Sequence, residues 1–132
     1  MVLAIVRELG VVRPTCLAWP FLFQAQAELD RGNITAAGVK LRESVRRYLH
    51  ALCKLHDCMP KKQRTPREML KALHKRKLVG CRQWISDMIT LGNAAAHCKP
   101  VKASTLRTAL SIFAMILNET SELDLPTRGG AV

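Results

Sequence analysis

The stretch from Thr35 to Asp57, TAAGVKLRESVRRYLHALCKLHD, decides the fold class. Leu41, Val45, Tyr48, Leu49 and Leu52 recur at intervals of three and four, which lines them along one face of an α-helix. Arg42, Arg46 and His50 follow at i, i+4 and i+8, a polar line beside the apolar stripe rather than opposite it. A helix patterned in this way must bury one side against other helices.

Upstream, a helix is expected over about Ala18 to Arg31. Trp19, Leu22, Phe23, Ala25, Gln26 and Leu29 form its inner stripe, and Pro20 sits in its first turn. Gly32-Asn33 then reads as a helix stop and the turn of an αα-hairpin. Met1 to Val12 reads as a short helix or an extended arm, broken by Gly10 and ended by Pro14.

Downstream, Pro60 ends the long helix and Lys61-Lys62-Gln63-Arg64 is an exposed basic loop. Thr65-Pro66-Arg67-Glu68 has the form of a capping box with proline at the first helical position. It opens a short third helix with Met69, Leu70 and Leu73 inward, Arg67, Lys71, Lys75 and Arg76 outward, and Val79-Gly80 as its end. A fourth helix from near Cys81 presents Trp84, Ile85, Met88 and Ile89 to the core and runs into Gly92–His97, with Pro100 as the stop. A last helix over about Ala103 to Leu123 buries Leu106, Leu110, Phe113 and Leu117. The expected architecture is all-α, a bundle of four main helices plus one short helix. Residues 1–16 form an N-terminal arm or short helix, 17–123 the bundle, and 124–132, with Pro126 and Gly129-Gly130, a flexible C-terminal tail.

Composition agrees. The 132 residues suffice for one domain, and 48% of them are hydrophobic, so a core can form. Aromatic residues are scarce at 5%, while Ala, Leu, Arg and Lys abound, which favours helix over sheet.

The net charge of +11 is unevenly spread. Residues 59–82 carry nine Lys/Arg against one acid, whereas residues 83–132 carry four against four. A positive field concentrated in this way attracts phosphate-rich or acidic partners and speeds their encounter. Lys61, Lys62, Arg64, Arg67, Lys71, Lys75, Arg76, Lys77 and Arg82 could track a phosphate backbone. With Trp84 assigned to the core, no aromatic ring is left beside them to stack bases, so contact is expected to be backbone-driven.

The five cysteines (Cys16, Cys53, Cys58, Cys81 and Cys98) are odd in number and lack a CxxC spacing, as expected of free thiols in a reducing compartment. Arg7 and Glu8 interrupt the apolar start, so no secretory signal is expected, and no apolar run reaches the length of a membrane span. A cytoplasmic protein without membrane partners follows. His50, Cys53, His56 and Cys58 include ligand types at helical spacing but lack a second pair, and no metal or cofactor is expected. Cys53 is assigned to the interior and His56 to the surface. Cys98 adjoins His97, but neighbours on a helix point apart, which excludes a thiolate–imidazole pair.

The segment Thr90-Leu91-Gly92-Asn93-Ala94-Ala95-Ala96-His97 is the strongest candidate site. Gly92 permits close approach of another backbone, and the alanines leave one flank thin. Asn93 and His97, at i and i+4, share a face. Taken by themselves, these residues fit a polar pair hydrogen-bonded within itself or to a neighbouring helix.

Together with Leu41-Arg42-Glu43-Ser44-Val45 and the short helix around Glu68 to Leu73, this segment resembles the HEPN superfamily, in particular the HEPN-like C-terminal bundles of a bacterial family of unknown function. The resemblance covers roughly residues 22–118. It implies an all-α bundle that commonly dimerises. Many members are metal-independent ribonucleases that use an Arg four to six intervening residues before a His. Others bind RNA or nucleotides, or serve as partner subunits in toxin–antitoxin and phage-defence systems.

Carried over, His97 matches the motif histidine and Asn93 the polar residue within the motif. The positions where the arginine belongs are Thr90, Leu91 and Gly92. Without that cation, the charge developing on a phosphate under attack lacks its stabiliser. The resemblance therefore implies a non-catalytic RNA- or nucleotide-binding homodimer, with Arg42, Arg46, Lys71, Lys75 and Arg76 as binding residues. The alternatives are a ribonuclease using His97 with Arg42 or Arg46 from the second helix, and a protein-binding partner subunit.

Overall fold

Five α-helices, and no strand, make up the described residues, 13–120, of a computed structural model. In chain order they are α1 (Pro14–Asp30), α2 (Ile34–Leu55), α3 (Pro66–Lys75), α4 (Arg82–Ala96) and α5 (Ala103–Glu119). The readings of the segment before Arg13 and of the tail beyond Thr120 lie outside the described residues. Among those described, no helix is long and apolar enough to cross a membrane.

α2 is the axis of the bundle and packs against each of the other four helices. Its stripe of Leu41, Val45, Tyr48, Leu49 and Leu52 is buried as its spacing predicts, each side chain contributing roughly 1.5–3 kcal/mol. α5 closes the core from the other side with Leu106, Leu110, Phe113 and Leu117. The Tyr48 and Phe113 rings meet edge to face, 5.8 Å between centroids, and the Tyr48 hydroxyl lies 2.9 Å from Thr120 Oγ1. Ser44, buried on the same helix, donates to the Ala18 carbonyl at 2.7 Å, so its hydroxyl enters the core without loss of a partner.

α2 and α4 cross at very short range. A Cβ placed on Gly92 would stand 2.6 Å from Arg42 Cβ, and one on Gly38 would collide with Ala95 Cβ. Glycine on each helix therefore sets the separation, and through it the polar residues that meet at the crossing.

Four helices end in the same way. After α1, α2, α3 and α4 the chain turns through Gly32, Asp57, Lys77 and Cys98, all at positive φ. In each case the N–H of that residue and the N–H of the next bond back to carbonyls of the last turn, as Cys98 N–H does to Ala95 and Lys99 N–H to Ala94. This Schellman arrangement satisfies carbonyls that the helix leaves open. At the start of α3, Thr65 Oγ1 accepts from the Glu68 N–H at 3.2 Å, which is half of the expected capping box. The Glu68 carboxylate turns to Lys71 instead.

Several expectations need correction. α1 begins at Pro14 and not near Ala18, so Pro20 is interior to the helix; its exposed side keeps the ring clear of the core. Phe23 and Gln26 face solvent, Phe23 at 65% exposure, and Trp19 stacks on Phe23 at the edge of the core. Trp84 is 49% exposed, because the buried stripe of α4 runs through Ile85, Met88, Ile89, Gly92 and Ala95 and leaves residue 84 at its margin. His56 is buried beneath the α2 terminus rather than on the surface. Cys53 is interior, as expected; burial, with Cys58 beside it, pushes its thiol up to about 12.

Candidate nucleic-acid interface

α4 is the meeting point of two arginines from two other helices. Arg42 of α2 donates from Nε to Asn93 Oδ1 at 2.9 Å. Arg67 of α3 donates to Thr90 Oγ1 at 2.7 Å and to Ser86 Oγ at 3.2 Å. Thr90 and Asn93 are one helical turn apart, so both guanidinium groups dock on the same short length of α4. At Thr90, one of the three positions where the HEPN resemblance implies an arginine, the chain carries a hydroxyl that accepts from Arg67 of α3.

The acceptors in these contacts are a carboxamide and two hydroxyls. The bonds orient the guanidinium groups without neutralising them, and Arg42 and Arg67 have no ion-pair partner among the described residues. Arg46 is engaged differently. It donates to Glu43 at 2.6 and 3.0 Å, and Arg47 joins the same carboxylate at 2.8 Å. The hydrogen bond from Arg46 is the main cause holding the Glu43 carboxyl down at about 2; Arg47 adds to it and partial burial opposes it. Arg46 is thus tied to its own helix and does not stand in at the Asn93 site.

The remaining candidates divide. Lys71 is exposed and only loosely paired with Glu68, at 3.7 Å. Lys75 is exposed at the last turn of α3. Arg76 donates to the His56 carbonyl, which ties the end of α3 to the end of α2 and gives this arginine a structural role. His97 caps the C-terminus of α4, its N–H bonding to the Asn93 carbonyl at 3.0 Å, while its side chain is exposed. The side chains of Asn93 and His97 are not hydrogen-bonded to each other; the partner of the Asn93 carboxamide is Arg42.

The positive field extends along α2. Partial burial pushes the His50 pKa down, and Lys54, Arg46, Arg64 and Arg47 depress it further. These groups place α2 and the loop after it in one positive field. Arg67 and Arg82 already belong to the sequence's basic run. The docking of Arg67 on Ser86 and Thr90 is what the sequence did not reveal: Thr90 stood in the candidate segment with no partner assigned, and Ser86 carried no signal of its own.

The opposite flank is apolar. A groove of about 400 Å³ between α4 and α5 is lined by residues that include Trp84, Leu91, Val101 and Ile112, with Asp87 the one charged residue in it. Among the described residues, no three His, Cys, Asp or Glu side chains gather as a metal site. Searches with the chain against protein-family models, curated proteins and solved structures find no match.

Proposed function

We propose that the chain is a cytoplasmic HEPN-like bundle that binds RNA or a nucleotide without cleaving it and works as a homodimer. The observation that carries this reading is the docking of Arg42 and Arg67 on one turn of α4 through neutral acceptors. Two oriented, uncompensated cations within a basic surface suit phosphate groups. The apolar α4–α5 groove with half-exposed Trp84 supports the dimer, because it is nearly free of the cations that would keep two such basic chains apart.

Measuring RNA affinity against salt tests the binding reading. Affinity should fall linearly on logarithmic axes, and Arg42→Gln or Lys71→Gln should each lower the slope by about 1. No binding at low salt would refute it. Light scattering after size exclusion tests the dimer, which a monomer at every concentration would refute.

One observation favours the ribonuclease alternative: Arg42 reaches Asn93, one turn from His97, so a cation and an imidazole flank the same helix end. Cleavage of total RNA that disappears in His97→Ala would establish that mechanism; cleavage that survives the substitution would exclude it.

A further inference from the structure

Between α3 and the first turns of α4 lies a hollow of about 200 Å³, lined by Arg67, Glu68, Leu70, Lys71, Arg82 and Ser86. Three of these six residues are cations drawn from two helices, and one is a carboxylate. Arg67 is fixed in place by Ser86 and Thr90. Arg82 has no ion-pair partner among the described residues, and Lys71 approaches Glu68 only to 3.7 Å. Because Ser86 Oγ accepts from Arg67, its own hydrogen is free to donate. Thr90 is differently placed: it accepts from Arg67 and donates to the Ser86 carbonyl, so it is already satisfied.

The lining is therefore rich in donors with a surplus of two positive charges, and no aromatic ring faces it. A site of that composition recognises a compact dianion and not a base. A bridging phosphodiester carries one negative charge, whereas a phosphate monoester near neutral pH carries ≈ 1.5–2.

We propose that this hollow binds a phosphate monoester, either the phosphorylated end of an RNA strand or the phosphate of a free nucleotide. This rests on the reading of the protein as a binder of RNA or nucleotide. It adds that the α3–α4 hollow senses the terminal phosphate, separately from the Arg42–Asn93 contact. Glu68 opposes the ligand and limits its affinity.

The test compares AMP with adenosine, and one short RNA carrying a 5′-phosphate, a 3′-phosphate or neither, by calorimetry and fluorescence anisotropy at fixed salt. The phosphorylated member of a pair should bind about tenfold more tightly, on the scale of one or two charge-assisted hydrogen bonds. Arg82→Gln, at an exposed position that leaves the core intact, should erase that preference. Glu68→Gln should raise affinity for the phosphorylated probes about threefold by removing a like charge. Arg42→Gln should weaken all RNA probes alike and leave their ratio unchanged.

RNA binding with no preference for phosphate, in both pairs, would overturn the inference while leaving the RNA reading intact. A preference for AMP that depends on Arg82, with no RNA binding, would uphold the hollow as a nucleotide site and overturn the strand reading. A preference that persists in Arg82→Gln would overturn the inference, and failure of every probe to bind would overturn both.

Discussion

Gly92 shows how one residue can govern both packing and chemistry. Its missing side chain lets Arg42 lie against α4, and the adjacent Asn93 then receives the guanidinium. Gly92→Ala places a methyl 2.6 Å from Arg42 Cβ and 3.1 Å from its Cα, contacts that a side-chain rotation cannot relieve. The expected cost is about 1–3 kcal/mol, read as a lower urea midpoint. Gly80→Ala, with nothing within 4 Å of the new methyl, is the control and should move the midpoint little. Equal midpoints for the two variants would contradict the account. Glu43 offers a second test at this scale. Its folded-state pKa, about 2, lies below the ordinary 4.5, so its contribution is present above 4.5 and is lost as pH falls toward 2. The difference in Tm between the protein and Glu43→Gln should therefore shrink across that window, and a constant difference would argue against it. Gly92 could be picked out in the sequence by its company of alanines, and Arg42 and Arg46 as candidate cations of the second helix, whereas Glu43 carried no signal of its own. Which arginine meets α4 could not be read, because Arg42, Arg46 and Arg47 are chemically alike and only the rotation of α2 decides it.

At the scale of the element, helix type and order could be read from periodicity, and so could ends that carry a marker, such as Gly32 and Thr65-Pro66, while ends without one could not. The third helix was expected to stop at Val79-Gly80. α3 instead ends at Lys75, and Leu78 and Val79 turn back onto the core. The residue that makes the turn is Lys77, at φ 58, a conformation for which glycine is the usual marker. Cys98 and Asp57 do the same after α4 and α2, so three of the four Schellman turns carry no glycine to announce them. A side chain at such a position costs roughly 1–2 kcal/mol, partly offset by the unfolded-state freedom that glycine would add. Lys77→Gly should accordingly stabilise the protein by about 0.5–1 kcal/mol in urea or thermal unfolding. The exposed Lys77 side chain has no hydrogen bond or ion pair to lose among the described residues, so a destabilised variant would show that the turn is held by something other than its backbone. The misplacement of Trp84 has the same origin: a stripe beginning one residue later, at Ile85, leaves the indole outside the core.

For the whole molecule, the all-α class followed from the period of α2 alone, whereas the distribution of charge in space needed the fold. The run over residues 59–82 gives the amount of positive charge; the fold brings Arg64 of that run into the field of His50, beside Arg46, Arg47 and Lys54 of α2. His50 consequently reports the field of α2 and of the loop that follows it. Burial is the first cause of its lowered pKa, and the cations Lys54, Arg46, Arg64 and Arg47 supply the rest. A polyanion lying along this face would compensate those cations and raise the His50 pKa back toward 6.5. By linkage, a group whose pKa rises on binding takes up a proton, so RNA affinity should increase as pH falls through the range between the free and bound His50 values. The same lowered pKa in the free protein means that stability declines as pH drops below 6.5, since the unfolded chain then binds the proton more readily. The two trends are opposite in sign and can be separated. An NMR titration of the His50 ring with and without RNA should show the upward shift, and His50→Asn should remove the extra pH dependence of binding while leaving its salt dependence in place. An unchanged His50 pKa in a complex that does form would place the RNA away from α2, leaving α3 and the first turns of α4 to carry the contact.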